Sequence, residues 1–121
     1  MIPIDSIEIP ERFVAICDEW YGGQGDLLYA VSSTGGLTTG SIRPMNDDGE
    51  RASDEEWYYG LWAGLSVDVG RARRACQNGL DAGWDSEDID YRATIAVLTD
   101  FEDWIDDDVL PRLAASYGLE G

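Results

Sequence analysis

The side chains best able to do chemistry in this 121-residue chain are carboxylates, and they crowd toward its C-terminal third. Asp85, Glu87, Asp88, Asp90, Asp100, Glu102, Asp103, Asp106, Asp107 and Asp108 share residues 85–108 with one base, Arg92, for a net charge of −9. The other 97 residues carry only −8. Paired acids can hydrolyse glycosides, and clusters of them can hold Mg²⁺ or Ca²⁺. The run Asp85-x-Glu87-Asp88-x-Asp90 invites a metal reading, but it lacks the central glycine and terminal glutamate spacing of an EF-hand loop. With 25 acids in the chain, close pairs arise by chance, so proximity alone makes no site.

The residue types that usually accompany acids in catalysis are missing. There is no histidine, so the commonest general base is absent, as are a Ser-His-Asp triad and a Cys-His pair. All eight basic residues are arginine. Without lysine there is no P-loop and no Schiff base. Cys17 and Cys76 lie far apart with no CxxC spacing, too few for a zinc site. They are expected as two reduced, buried thiols. Gly22-Gly23-Gln24-Gly25 is glycine-rich but follows a helical pattern, where a phosphate cradle needs a strand before it, so it reads as a connector. The expectation is a protein that is not an enzyme, with no catalytic residues, no metal and no cofactor.

Net charge is −17. Such a surface repels phosphate backbones and anionic membranes, which argues against direct binding of nucleic acid or lipid and favours a basic protein partner. No apolar run approaches the length of a bilayer span. The N-terminus, MIPIDSIEIP, has acids where a secretory signal needs bases, so a cytoplasmic location is expected. An apolar fraction of 44% with five Trp and six Tyr predicts a folded chain, and its length fits one domain, 1–121.

The elements that must position the acids follow from periodicity. Ile2, Ile4, Ile7 and Ile9 suggest a short strand, with Pro3 placing it at an edge. Phe13, Val14, Ile16, Cys17, Trp20 and Tyr21 recur at helical spacing behind Pro10, predicting a helix over 10–21. Leu27–Thr34 and Leu37–Ile42, separated by Gly35-Gly36, read as a β-hairpin. Residues 44–51 read as a surface loop. Ser53 and Glu56 form a capping box, so a helix should begin there. Gly79 is its expected terminator, and Gly60, Gly64 and Gly70 make a break near Ser66 plausible. From Ser86 to Ile105 either one long helix or a strand followed by a helix fits, the helical spacing being the stronger pattern, with Thr99 and Glu102 as a second capping box. A short last helix runs from Val109 to Gly118, with Pro111 tolerable only in its first turn. The fold class expected is α+β, a small β-hairpin or short antiparallel sheet packed with three to four helices. Four tryptophans fall at apolar helix positions. Trp84 falls in a predicted loop beside the acids, where it either folds onto the core or anchors an arginine-rich partner.

If residues 85–108 are helical, Asp100, Asp103 and Asp107 make one stripe, with Glu102 and Asp106 as neighbours beside it. Rows of negative charge at that pitch roughly imitate phosphates along a nucleic-acid strand. In this charge pattern, over about a fifth of its length, the chain resembles the acidic DNA-mimic inhibitors carried by phages and plasmids, among them anti-restriction and some anti-CRISPR proteins. The block IPERFVAICDEWYGGQGDLLYAVSSTGG is also similar to small phage-encoded proteins. The resemblance implies a non-enzymatic inhibitor that occupies the nucleic-acid site of a host defence complex through the ten acids and Trp84. Arg71, Arg73 and Arg74 would then mark the face turned away from the partner. Two other readings fit the same charge. One is an immunity or antitoxin protein that neutralises a basic toxin. The other is an ordinary domain of a halophile whose acids are a solvated surface.

Overall fold

A computed structural model describes residues 2–20, 26–38, 53–83 and 90–119. About 79% of the described residues are helical and none is in a strand. The α+β expectation is therefore wrong, and the protein is helical. The elements are α1 (Glu11–Trp20), α2 (Asp26–Thr34), α3 (Asp54–Asp81), α4 (Tyr91–Trp104), a π turn (Ile105–Val109) and α5 (Leu110–Tyr117).

The supposed first hairpin strand is α2. Leu28 and Val31, three apart, are both buried, with Leu27 beside them against the core. That spacing suits one face of a helix as well as a strand, and packing against α1 and α3 decides it. Gly35 does not open a hairpin turn. At φ +79 it ends the helix, and its N–H donates to the Val31 carbonyl at 2.8 Å. Leu37 is buried without strand pairing, and 39–42 lie outside the described residues. So do Gly22–Gly25 and the loop at 44–51. The N-terminal isoleucines form no strand either. Asp5 takes a left-handed φ of 60, which turns the segment, while Ile9 is buried and Ile2, Ile4 and Ile7 pack partly covered on the core.

Pro10 starts α1 as its sequence position suggests, accepting from the N–H groups of Phe13 and Val14. Ser53 caps α3, its hydroxyl accepting from the Glu56 N–H at 3.3 Å. The helix then runs 28 residues without a break. It passes through the buried Gly79 and stops at Gly83, φ +77. Two of its glycines admit a neighbour. A Cβ on Gly64 would lie 2.7 Å from the Leu27 side chain of α2, and one on Gly70 would lie 2.6 Å from the Glu102 carboxylate of α4.

From Tyr91 to Tyr117 the chain forms one continuous helix, since Trp104, Ile105, Val109 and Leu110 all keep right-handed helical backbone. α4 starts at Tyr91, capped by Asp90, and Ser86 lies outside the described residues. Thr99 caps nothing. It lies mid-helix, its hydroxyl donating to the Ile95 carbonyl. The separate last helix is instead a continuation through the π turn. Phe101, Ile105, Val109 and Leu113 are fully buried at successive steps of four. In an α-helix each such step overshoots a full turn by about 40°. The wider π turn, closed by the Leu110 N–H on the Ile105 carbonyl, takes up that drift and keeps all four inward. It also stands directly before Pro111, which has no N–H for the Asp107 carbonyl. Gly118, φ +66, ends the helix.

An aromatic joint binds α1, α3 and α4. Phe13 stacks on Phe101 with centroids 4.6 Å apart and planes 8° apart, and Trp62 meets Trp104 at 5.6 Å and 80°. Tyr58 extends the joint along α3. Trp57 and Trp62 are buried and Trp104 half-buried, as their register predicts. The Trp20 side chain and all of Trp84 lie outside the described residues.

The glycines of α3 give a direct test. Gly60 is exposed with open space around its Cα, so Gly60→Ala should stabilise by about 0.5–1 kcal/mol through helix propensity. Gly70→Ala should fall short of that gain by about 1 kcal/mol, because Glu102 must leave its seat and weaken its hydrogen bond to Arg73. Urea unfolding of the two variants measures the difference.

Candidate functional site

The ten acids singled out by sequence do not all meet. Asp85, Glu87 and Asp88 lie outside the described residues, as does Trp84. Asp90 caps α4, its carboxylate accepting from the Ala93 N–H at 3.0 Å. It stands ten residues before Asp100, roughly 15 Å along the axis, and belongs to the helix end and not to the stripe of acids farther along. The other six, Asp100, Glu102, Asp103, Asp106, Asp107 and Asp108, lie together where α4 passes into the π turn.

Those six divide by what they face. Glu102 and Asp106 turn to α3. Glu102 packs against Gly70, and its Oε1 accepts from Arg73 at 3.4 Å. Asp106 accepts from the Ser66 hydroxyl at 2.5 Å. With Ser66, Val67, Gly70 and Arg74 they line a groove of about 230 Å³ between α3 and the acidic helix. Val67, 52% exposed, gives it an apolar lip. Asp100 turns toward α1, where Arg12 approaches to 3.5 Å. The same guanidinium lies 4.5 Å from the centre of the Phe13 ring. Asp108 meets Arg112 one turn on, at 3.0 Å. Asp103 and Asp107 are exposed, and no cation lies within ion-pair reach of them among the described residues.

The acidic face these six make is narrower than the sequence suggests, since Asp100, Glu102, Asp106 and Asp108 each turn to a different partner. Its flanks are compensated and its crest, Asp103 and Asp107, is bare. The pairs at Asp100 and Asp108 are more than half exposed on the arginine side, where such bridges contribute about 0–1 kcal/mol and exchange readily. The arginines of α3 correct a further expectation. Arg73 holds Glu102 and Arg74 lines the same groove, so they border the acidic face and do not point away from it. Arg71 lies near Asp68 on α3 itself. The Gly70 seat escaped sequence reasoning, although Gly70 follows Val69 on the inward side of α3 and so marked a place where something could approach.

Among the described residues no group of three or more His, Cys, Asp or Glu is placed to hold a metal ion. No helix among them is long and apolar enough to cross a membrane. Cys17 and Cys76 are buried and not joined in a disulfide. Burial pushes the Cys17 thiol from 9.0 up to about 12, so it is neutral and a poor nucleophile at neutral pH. Folding favours this neutral form. The thiol's contribution to stability is thus complete below pH 9 and is lost as pH rises toward 12, at up to about 1.4 kcal/mol per pH unit. Alkaline unfolding curves should be shallower in Cys17→Ala than in the parent chain, and a small thiol reagent should leave both cysteines unmodified until the chain unfolds.

Comparison of the chain with known protein families, with curated proteins and with solved structures finds no match.

Proposed function

We propose that the protein is a non-enzymatic inhibitor whose acidic helix face occupies the nucleic-acid site of a basic DNA-binding protein, as in anti-restriction or anti-CRISPR systems. One observation carries the reading. Asp103 and Asp107 stand exposed on one continuous helix, with no cation in ion-pair reach among the described residues, flanked by Asp100 and Asp108, whose arginine partners are themselves exposed. Asp103 and Asp107 are four steps apart, roughly 6 Å along the axis. A basic groove that binds phosphates can exchange its own counterions for such a row, gaining electrostatic steering and loose, salt-sensitive affinity. The arginines on Asp100 and Asp108 can give way to a partner's cations at little cost. The absence of histidine and lysine supports binding over catalysis.

The test uses the full chain against purified restriction and CRISPR effector complexes. Binding should weaken steeply with salt and be displaced by duplex DNA, and the double variant Asp103→Lys, Asp107→Lys should lose at least tenfold in affinity with an unchanged melting temperature. Binding that survives both DNA competition and the charge reversal would reject mimicry. A toxin bound tightly without DNA competition would point instead to an immunity protein.

A second measurement separates function from salt adaptation. The chain should be folded at about 0.1 M salt, where charges beyond about 10 Å are screened, and should gain only modestly on moving to molar salt. A chain that folds only in molar salt would make the acids a hydration device.

A further inference from the structure

Residues 2–9 cross the helices without joining any backbone ladder. Their far end is held by the Ile2 N–H, which donates to the Ser116 hydroxyl of α5 at 2.6 Å. Their middle is held by the Ile7 N–H, which donates to the Tyr58 hydroxyl of α3 at 3.0 Å. Between these ties the segment turns through Asp5, a non-glycine residue in the left-handed region. Ile2, Ile4 and Ile7 are each only partly covered, whereas Ile9, next to α1, is buried. The Tyr117 hydroxyl, near enough to Asp5 to feel its charge, is buried without a hydrogen-bond partner among the described residues. Burial, and then the neighbouring Tyr58, Glu55 and Asp5, raise its pKa.

We propose that residues 2–9 form a detachable strap that opens as a unit while the helices stay folded, baring Tyr58 and the end of the helix that carries the acidic face. Opening relieves the strain at Asp5 and hands the Tyr117 hydroxyl to water. It breaks the hydrogen bonds of Ile2 to Ser116 and of Ile7 to Tyr58, and uncovers the buried Ile9 along with the half-covered Ile2, Ile4 and Ile7. The helices lose nothing of their own ladders, and the aromatic joint between α1, α3 and α4 contains no strap residue. A segment tied this way belongs to the low-stability end of a structure, opening separately from the core.

Amide hydrogen exchange on the full chain, read residue by residue, tests it. The Ile2 and Ile7 amides should be protected, but exchange about a hundredfold or more faster than the core amides Leu61–Val69 of α3, and with little dependence on urea. Ser116→Ala should speed Ile2 exchange severalfold and leave α3 unchanged. Exchange of Ile2 and Ile7 at the α3 rate with the α3 urea dependence would overturn the proposal by making the strap part of the global unit. Exchange of both at the unprotected rate would overturn it by removing the docked state.

Discussion

The fold depends on covering one side of a single long helix. At 28 residues, α3 is about 42 Å long, and several elements pack along it. Its buried residues run from Trp57 to Gly79, so α2, α4, the π turn, α5 and the N-terminal segment each take a share. Two devices fix how they meet it. The aromatic joint of Phe13, Phe101, Trp104 and Trp62 ties α1 and α4 to its N-terminal third, and tilted or offset ring pairs of this kind add about 0.5–1.5 kcal/mol each beyond the area they bury. Gly64 and Gly70 let Leu27 and Glu102 press against its backbone. Glycine costs helix stability wherever it stands. At these two positions the cost is offset by close approach, whereas Gly60 has no such return.

The second long helix answers a harder demand. It must keep Phe101, Ile105, Val109 and Leu113 inward while carrying Asp106, Asp107 and Asp108 in succession. Three consecutive acids leave room for an inward residue only on either side, and steps of four then follow. An unbroken α-helix would rotate that row by roughly 120° over the three steps and drive one end into solvent. The π turn removes the mismatch at the place where Pro111 would in any case deny the helix a bond.

Much of this was legible in the sequence and some was not. Helix boundaries marked by local chemistry were readable: Pro10 before α1, Ser53 with Glu56 before α3, and Gly118 after α5. These signals act within one turn and need no knowledge of the rest of the chain. The hairpin was misread because Leu27, Leu28 and Val31 suit either period over so short a run, and only contact with α1 and α3 chooses. Gly79 was misread as a stop because glycine ends a helix only where the chain must turn left-handed, which happens at Gly83. On the acidic side, the nearness of Glu102 to Asp106 followed from spacing, and both do line one groove. Which acids would be paired did not follow, since Arg12, Arg73 and Ser66 come from elsewhere in the chain.

The energetics of the acidic face separate it from the fold. Like charges one turn apart cost about 0.2–0.5 kcal/mol per pair. The exposed bridges at Asp100 and Asp108 return less than about 1 kcal/mol each. Both are small beside the burial of Trp62, Phe101 or Phe13, each worth several kcal/mol against truncation. Asp103 and Asp107 are exposed and make no ion pair among the described residues, so the helix would form as well with other polar residues there. Their identity is thus left open by packing. A constraint on it has to come from outside the folded chain, from a cationic partner or from the solvent, and these two differ in salt dependence and in sensitivity to where on the surface the charge is placed.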